Sequence, residues 1–82
     1  MINPSMKKLR GAFAKALGLS PDCDFESLAY AQEPRWDSVG HMDLVVEIET
    51  TFDIMLATEE VIGMRNFLKA KEIVAGKGVS FA

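Results

Sequence analysis

The sequence predicts an all-α fold, a small four-helix bundle of three longer helices and one short one, on three observations. Apolar residues recur at helical spacing in three separate stretches. The stretches open on Ser, Asp or Asn and two of them close on Gly, the residue types that start and stop helices. The chain is 82 residues, 49% hydrophobic and 26% charged, the composition of a globular domain that folds without a disulfide or metal staple. A chain this short buries only about 60% of its unfolded surface, so residues 1–82 are read as a single domain.

Taken in order, Ser5 is read as the N-cap after Pro4, and Met6, Leu9, Ala12, Phe13, Ala16 and Leu17 form the inner stripe of the first helix. Gly18 is placed to end it in the left-handed conformation. Residues 19–36 hold two prolines, several acids and scattered apolar groups. A loop that long in a small domain is pinned by its own side chains, with Tyr30 and Trp36 as rings capping the core. The second helix runs from Ser38 to Phe52, with Val39, Met42, Val45, Val46, Ile48 and Phe52 inward and Phe52 at its buried inner end. Asp43 and Glu47 then share one solvent edge, and Glu49 and Asp53 an adjoining one. Thr58 is read as the N-cap of a short helix with Glu59 and Glu60 in its first turn, ending at Gly63. Asn66 caps the last helix, whose inner side is Phe67 or Leu68, Ala70, Ile73 and Val74, closed by Gly76 and Gly78. The five methionines are read mostly as core fillers, although a Met beside a site suits a pliable contact surface.

Composition excludes several functions. Cys23 is the sole cysteine and His41 the sole histidine, so neither a disulfide nor a structural zinc site is available. Cys23 lies among acids, which disfavour its thiolate. No apolar run approaches the roughly 20 residues a membrane span needs, and the start of the chain lacks a signal-peptide pattern. A cytoplasmic monomer is expected. From Trp36 to Met64 there are seven acids and no Lys or Arg, whereas the remainder holds nine bases and five acids. That central field repels nucleic acid and attracts a basic protein surface. Lys7, Lys8, Arg10 and Lys15 on the first helix are accordingly read as a solvated face, not a nucleic-acid patch.

The informative segment is Trp36-Asp37-Ser38-Val39-Gly40-His41-Met42, where the loop meets the acidic helix. Asp37-Ser38-Val39, followed at helical spacing by Met42, Asp43, Leu44, Val45, Ile48, Glu49, Phe52 and Asp53, resembles the acyl carrier protein family, whose Asp-Ser-Leu motif opens the second helix. The resemblance covers nearly the whole chain, and the Trp-Asp-Ser-Val-Gly-His form is similar to the discrete carriers of specialised biosynthesis. It implies that Ser38 accepts 4′-phosphopantetheine from coenzyme A, delivered by a separate phosphopantetheinyl transferase, and that acyl groups ride as thioesters on the arm's thiol. It implies too that Asp37 handles metal or the transferase, and that the chain itself is not an enzyme. The expected partners are the transferase, an acyl-loading ligase or acyltransferase, and synthase or transferase enzymes, in fatty-acid or polyketide biosynthesis. The residues agree with attachment, because free N–H groups and the positive dipole end at a helix N-terminus favour a phosphodiester. Asp37 or Ser38 is equally a good cap for the helix.

A recognition surface is expected at Val39, Met42, Asp43, Glu47 and Glu49, a charged rim around apolar anchors. His41 is read as exposed or facing a partner. Val39 stands where leucine is commoner in the family and Ala57 where many carriers have proline. Four other functions are weighed for this sequence: a peptidyl or aminoacyl carrier, a carrier-like adaptor that is never modified, a hydrolase with Ser38 activated by His41, and a helix-turn-helix DNA binder. The hydrolase lacks a Gly-x-Ser-x-Gly elbow and an oxyanion donor set, and the DNA binder would bring the acids of its central helix to phosphate.

Overall fold

The computed structural model describes residues 3–81. Four α-helices follow one another: α1 over Pro4–Leu17, α2 over Ser38–Phe52, α3 over Thr58–Gly63 and α4 over Phe67–Gly76. The all-α expectation is met, with Gly18 in the left-handed conformation closing α1 and Asn66 Oδ1 accepting from Lys69 N at 2.7 Å to open α4. Two starts fall one residue or more from expectation. Asn3, not Ser5, caps α1 through its side chain, which lets Pro4 occupy the first turn, where its missing N–H costs nothing. Ala57, not Thr58, is the N-cap of α3, and Glu60 Oε1 reaches back to accept from Ala57 N at 2.8 Å.

The core is a line of rings flanked by aliphatic groups. Phe13 of α1 meets Phe67 of α4 edge-on at 5.0 Å and Trp36 at 5.2 Å, and Phe25 leans on Phe67 at 5.8 Å. Leu9, Leu44, Ile48, Met64 and Val74 close around them, all fully buried. Trp36 is completely enclosed and central to this cluster, so it is a core ring and not a cap; Tyr30 remains half-buried beside it. The loop expected over 19–36 is pinned, as anticipated. It contains a 3-10 turn at Phe25–Ser27. It also pairs with the start of α4, Tyr30 N donating to Arg65 O at 2.8 Å and Phe67 N to Leu28 O at 3.2 Å.

Helix α2 keeps its expected bounds but turns a different face inward. Gly40, Leu44, Val45 and Ile48 are buried. Val39, Met42 and Val46, placed inward by the sequence reading, are 71%, 58% and 56% exposed. The helix is apolar around most of its circumference, and its partners decide which residues go in. Phe52 is half-buried against Phe81 at 6.4 Å instead of fully enclosed. Of the methionines, Met64 fills core, whereas Met42 and Met55 lie open. In α4 the inner residue is Phe67, with Leu68 exposed. Among the described residues no helix is long and apolar enough to cross a membrane.

Candidate functional site at the start of helix two

The first turn of α2 is built to present its serine. Asp37 caps the helix: its backbone is extended and its Oδ1 accepts from Gly40 N at 2.9 Å, while its carbonyl accepts from His41 N at 2.8 Å. Of the two roles foreseen for Asp37, capping is the one its contacts display. Ser38 follows as the first helical residue, exposed, and its hydroxyl makes no hydrogen bond among the described residues. Two residues on, Gly40 is buried where a Cβ would collide with the Arg35 carbonyl and press on the Leu17 side chain. Only glycine lets α2 approach this closely, and the approach fixes where Ser38 emerges. Arg35 Nη1 in turn donates to the Gly18 carbonyl, tying the loop to the end of α1.

His41 departs from the expectation of an exposed side chain. Its ring stacks on Trp36, 18° from parallel at 6.1 Å, and meets Tyr30 edge-on at 5.4 Å. Trp36 Nε1–H donates to His41 Nδ1 at 2.9 Å, and His41 Nε2 lies 2.8 Å from the Val61 carbonyl oxygen. An indole N–H only donates and a carbonyl oxygen only accepts, so the imidazole is the neutral form with its proton on Nε2. Both nitrogens are committed, and neither is free to serve as a base for Ser38. His41 is a strut between the buried Trp36 and α3.

Two of the acids expected on a free surface are also engaged internally. Glu49 Oε2 accepts from Leu56 N at 2.9 Å, holding the turn between α2 and α3, and is half-buried. Glu47 pairs with Lys15 of α1 at 3.6 Å, its side chain 26% exposed. Asp43 is exposed, as are Val39 and Met42, so these three remain an open patch beside Ser38. The basic face of α1 is partly neutralised in the same way, since Arg10 pairs with Glu26 at 2.9 Å. Cys23 is half-buried, and its thiol is pushed up first by that burial and then by Glu33 and Asp24. The thiolate is disfavoured, as the sequence suggested.

Between α2 and α3 lies an open cleft of about 280 Å³, lined by Tyr30, Ser38, His41, Met42, Val61, Ile62 and Arg65. Sequence reasoning placed Ser38 and Met42 here and missed Tyr30, Val61, Ile62 and Arg65. Arg65 had one visible signal, as the first base after the acid-only stretch. Chemically the arrangement offers an unencumbered hydroxyl at a helix N-terminus, an apolar trough beside it and one cation. No family model matches the chain, and no solved structure matches it.

Proposed function

We propose that this chain is a carrier that holds acyl groups as thioesters on a 4′-phosphopantetheine arm attached to Ser38, and delivers them between separate enzymes. The observation that carries this reading is the placement of Ser38: exposed, its hydroxyl without a hydrogen bond among the described residues, and at the rim of an apolar cleft. These residues fit the group. The hydroxyl needs no uncoupling from an internal partner, and the trough has room for the apolar start of an arm or its cargo. Attachment forms an Oγ–phosphorus bond and breaks the pyrophosphate bond of coenzyme A. Adenosine 3′,5′-bisphosphate leaves, and the hydroxyl proton passes to the transferase. Once bound, the arm supplies the thiol on which thioesters form.

The chain's own residues position and present. Asp37 fixes the first turn of α2, Gly40 sets its depth, and Val39, Met42 and Asp43 form the contact patch for the transferase and for acyl-loading or acyl-consuming partners. Glu47 and Glu49, half-buried and bonded within the chain, add field to that surface; charges at the rim of a contact steer encounter more than they set affinity. In this reading the protein is a cytoplasmic carrier and not an enzyme. Incubation with coenzyme A, Mg²⁺ and a broad-specificity phosphopantetheinyl transferase tests it. Wild type gains one phosphopantetheine mass and Ser38→Ala gains none. A wild type that stays unmodified is instead a protein adaptor.

A further inference from the structure

Among the described residues Arg65 is the one Lys or Arg side chain lining the Ser38 cleft, and both ring nitrogens of its neighbour His41 are already hydrogen-bonded. It stands at the end of the acid-only stretch, yet none of the ion pairs among the described residues uses it. Its guanidinium is placed instead over the Tyr30 ring, 5.1 Å from the centroid, and its carbonyl accepts the Tyr30 N–H at 2.8 Å. The cation is therefore positioned in advance and lacks an anion among the described residues. Asp37 makes the need for one acute from the other side. Its carboxylate already occupies the first turn of α2, one residue from Ser38, so a phosphodiester on Ser38 adds negative charge beside an existing one.

We propose that Arg65 is the counter-charge for the phosphodiester formed on Ser38, so that the root of the arm is held within the α2–α3 cleft and does not swing free. This rests on the carrier reading. A guanidinium is suited to the task, because its planar fork donates two parallel hydrogen bonds to phosphate oxygens, while the ring beneath limits its rotamers. The other candidate for Arg65, a carboxylate on a docked partner, leaves the phosphodiester unperturbed and is separated from the proposal by the test.

The test uses the full chain, modified by the transferase with coenzyme A, in wild type, Arg65→Gln and Arg65→Lys. The probe is the phosphorus NMR signal of the phosphodiester, followed from about 0.01 M to about 1 M salt, over which the screening length falls from about 30 Å to about 3 Å. The wild-type signal is expected to move with salt. That of Arg65→Gln should sit at the high-salt position throughout, and that of Arg65→Lys, a point charge without the fork, should move less than wild type. In wild type alone, the Arg65 side-chain Nε–H signal should shift on attachment, a readout needing no variant to fold. Identical salt traces for wild type and Arg65→Gln, or an unmoved Arg65 signal, overturns the proposal while leaving the carrier reading intact. Absence of any mass gain in wild type overturns both, and is seen before a phosphorus spectrum is taken.

Discussion

The two sides of α2 are held by different forces. On one, Leu44 and Ile48 enter a sealed cluster with Phe13, Trp36 and Phe67, and no polar side chain is buried there among the described residues. On the other lies α3, which has no buried residue of its own and is held largely by polar links: His41 to the Val61 carbonyl, Glu49 to Leu56 N at its approach, and Glu60 to Lys77 just past the end of α4 at 2.7 Å. Packing of the first kind is non-directional, shared among many contacts and lost together. Links of the second kind are each worth about 0.5 to 1.5 kcal/mol net and are lost one at a time. The lesson is that the sealed side sets where Ser38 stands, while the tethered side can give way one link at a time.

Three changes break or sharpen this contrast. The largest effect is expected for Trp36→Ala. It empties the centre of the sealed side and costs about 3 to 5 kcal/mol, against a total of roughly 5 kcal/mol for so small a domain. Its melting curve should shift strongly downward and show a protein only marginally folded at room temperature, and a curve near wild type would mean that Trp36 is not central. His41→Ala comes next. It strands the buried Trp36 N–H, at about 1 to 3 kcal/mol, and leaves the Val61 carbonyl with the longer bond from Met64 N at 3.4 Å. Amide exchange should quicken through α3 while α1 and α4 hold; equal quickening in all helices would erase the distinction between the two sides.

The smallest effect concerns pH. Glu60 is held below the usual carboxylate range, first by its bond with Lys77 and then by the Ala57 N–H. Since the folded value is depressed, the link contributes above the ordinary Glu value of about 4.3 and is lost as pH falls through the lower folded one. The pair lies at the surface within reach of solvent, so the contribution is small. Glu60→Gln should melt slightly lower than wild type at neutral pH, and the difference should vanish in acid. A difference that persists there would assign the effect to packing and not to charge.

Much of this was legible in the sequence where the signal is local. The span of α2 follows from periodicity, the αL end of α1 from Gly18, the cap of α4 from Asn66 and the position of Ser38 at the head of α2 from the Asp-Ser start signal. What was not legible depended on partners distant in the chain. Helix α2 has apolar residues at 39, 42, 44, 45, 46, 48 and 52, nearly all round, so spacing alone does not choose between Leu44 and Met42 for the inside. His41, Glu47 and Glu49 read as surface groups because the Val61 carbonyl, Lys15 and the Leu56 N–H that hold them come from other elements. Arg65 joins the cleft only because the loop carrying Tyr30 pairs with the start of α4.

The central claim, that the working group sits where the sealed side meets the tethered one, is met most directly by locating the added mass. Trypsin cleaves after Arg35 and Arg65, releasing residues 36–65, a peptide with the seven acids, most of the cleft and one serine. After treatment with the transferase and coenzyme A, that peptide should carry one phosphopantetheine, fragmentation should place it on Ser38, and Ser38→Ala should carry none. Mass on another peptide, mass surviving in Ser38→Ala, or no mass on wild type would contradict the account.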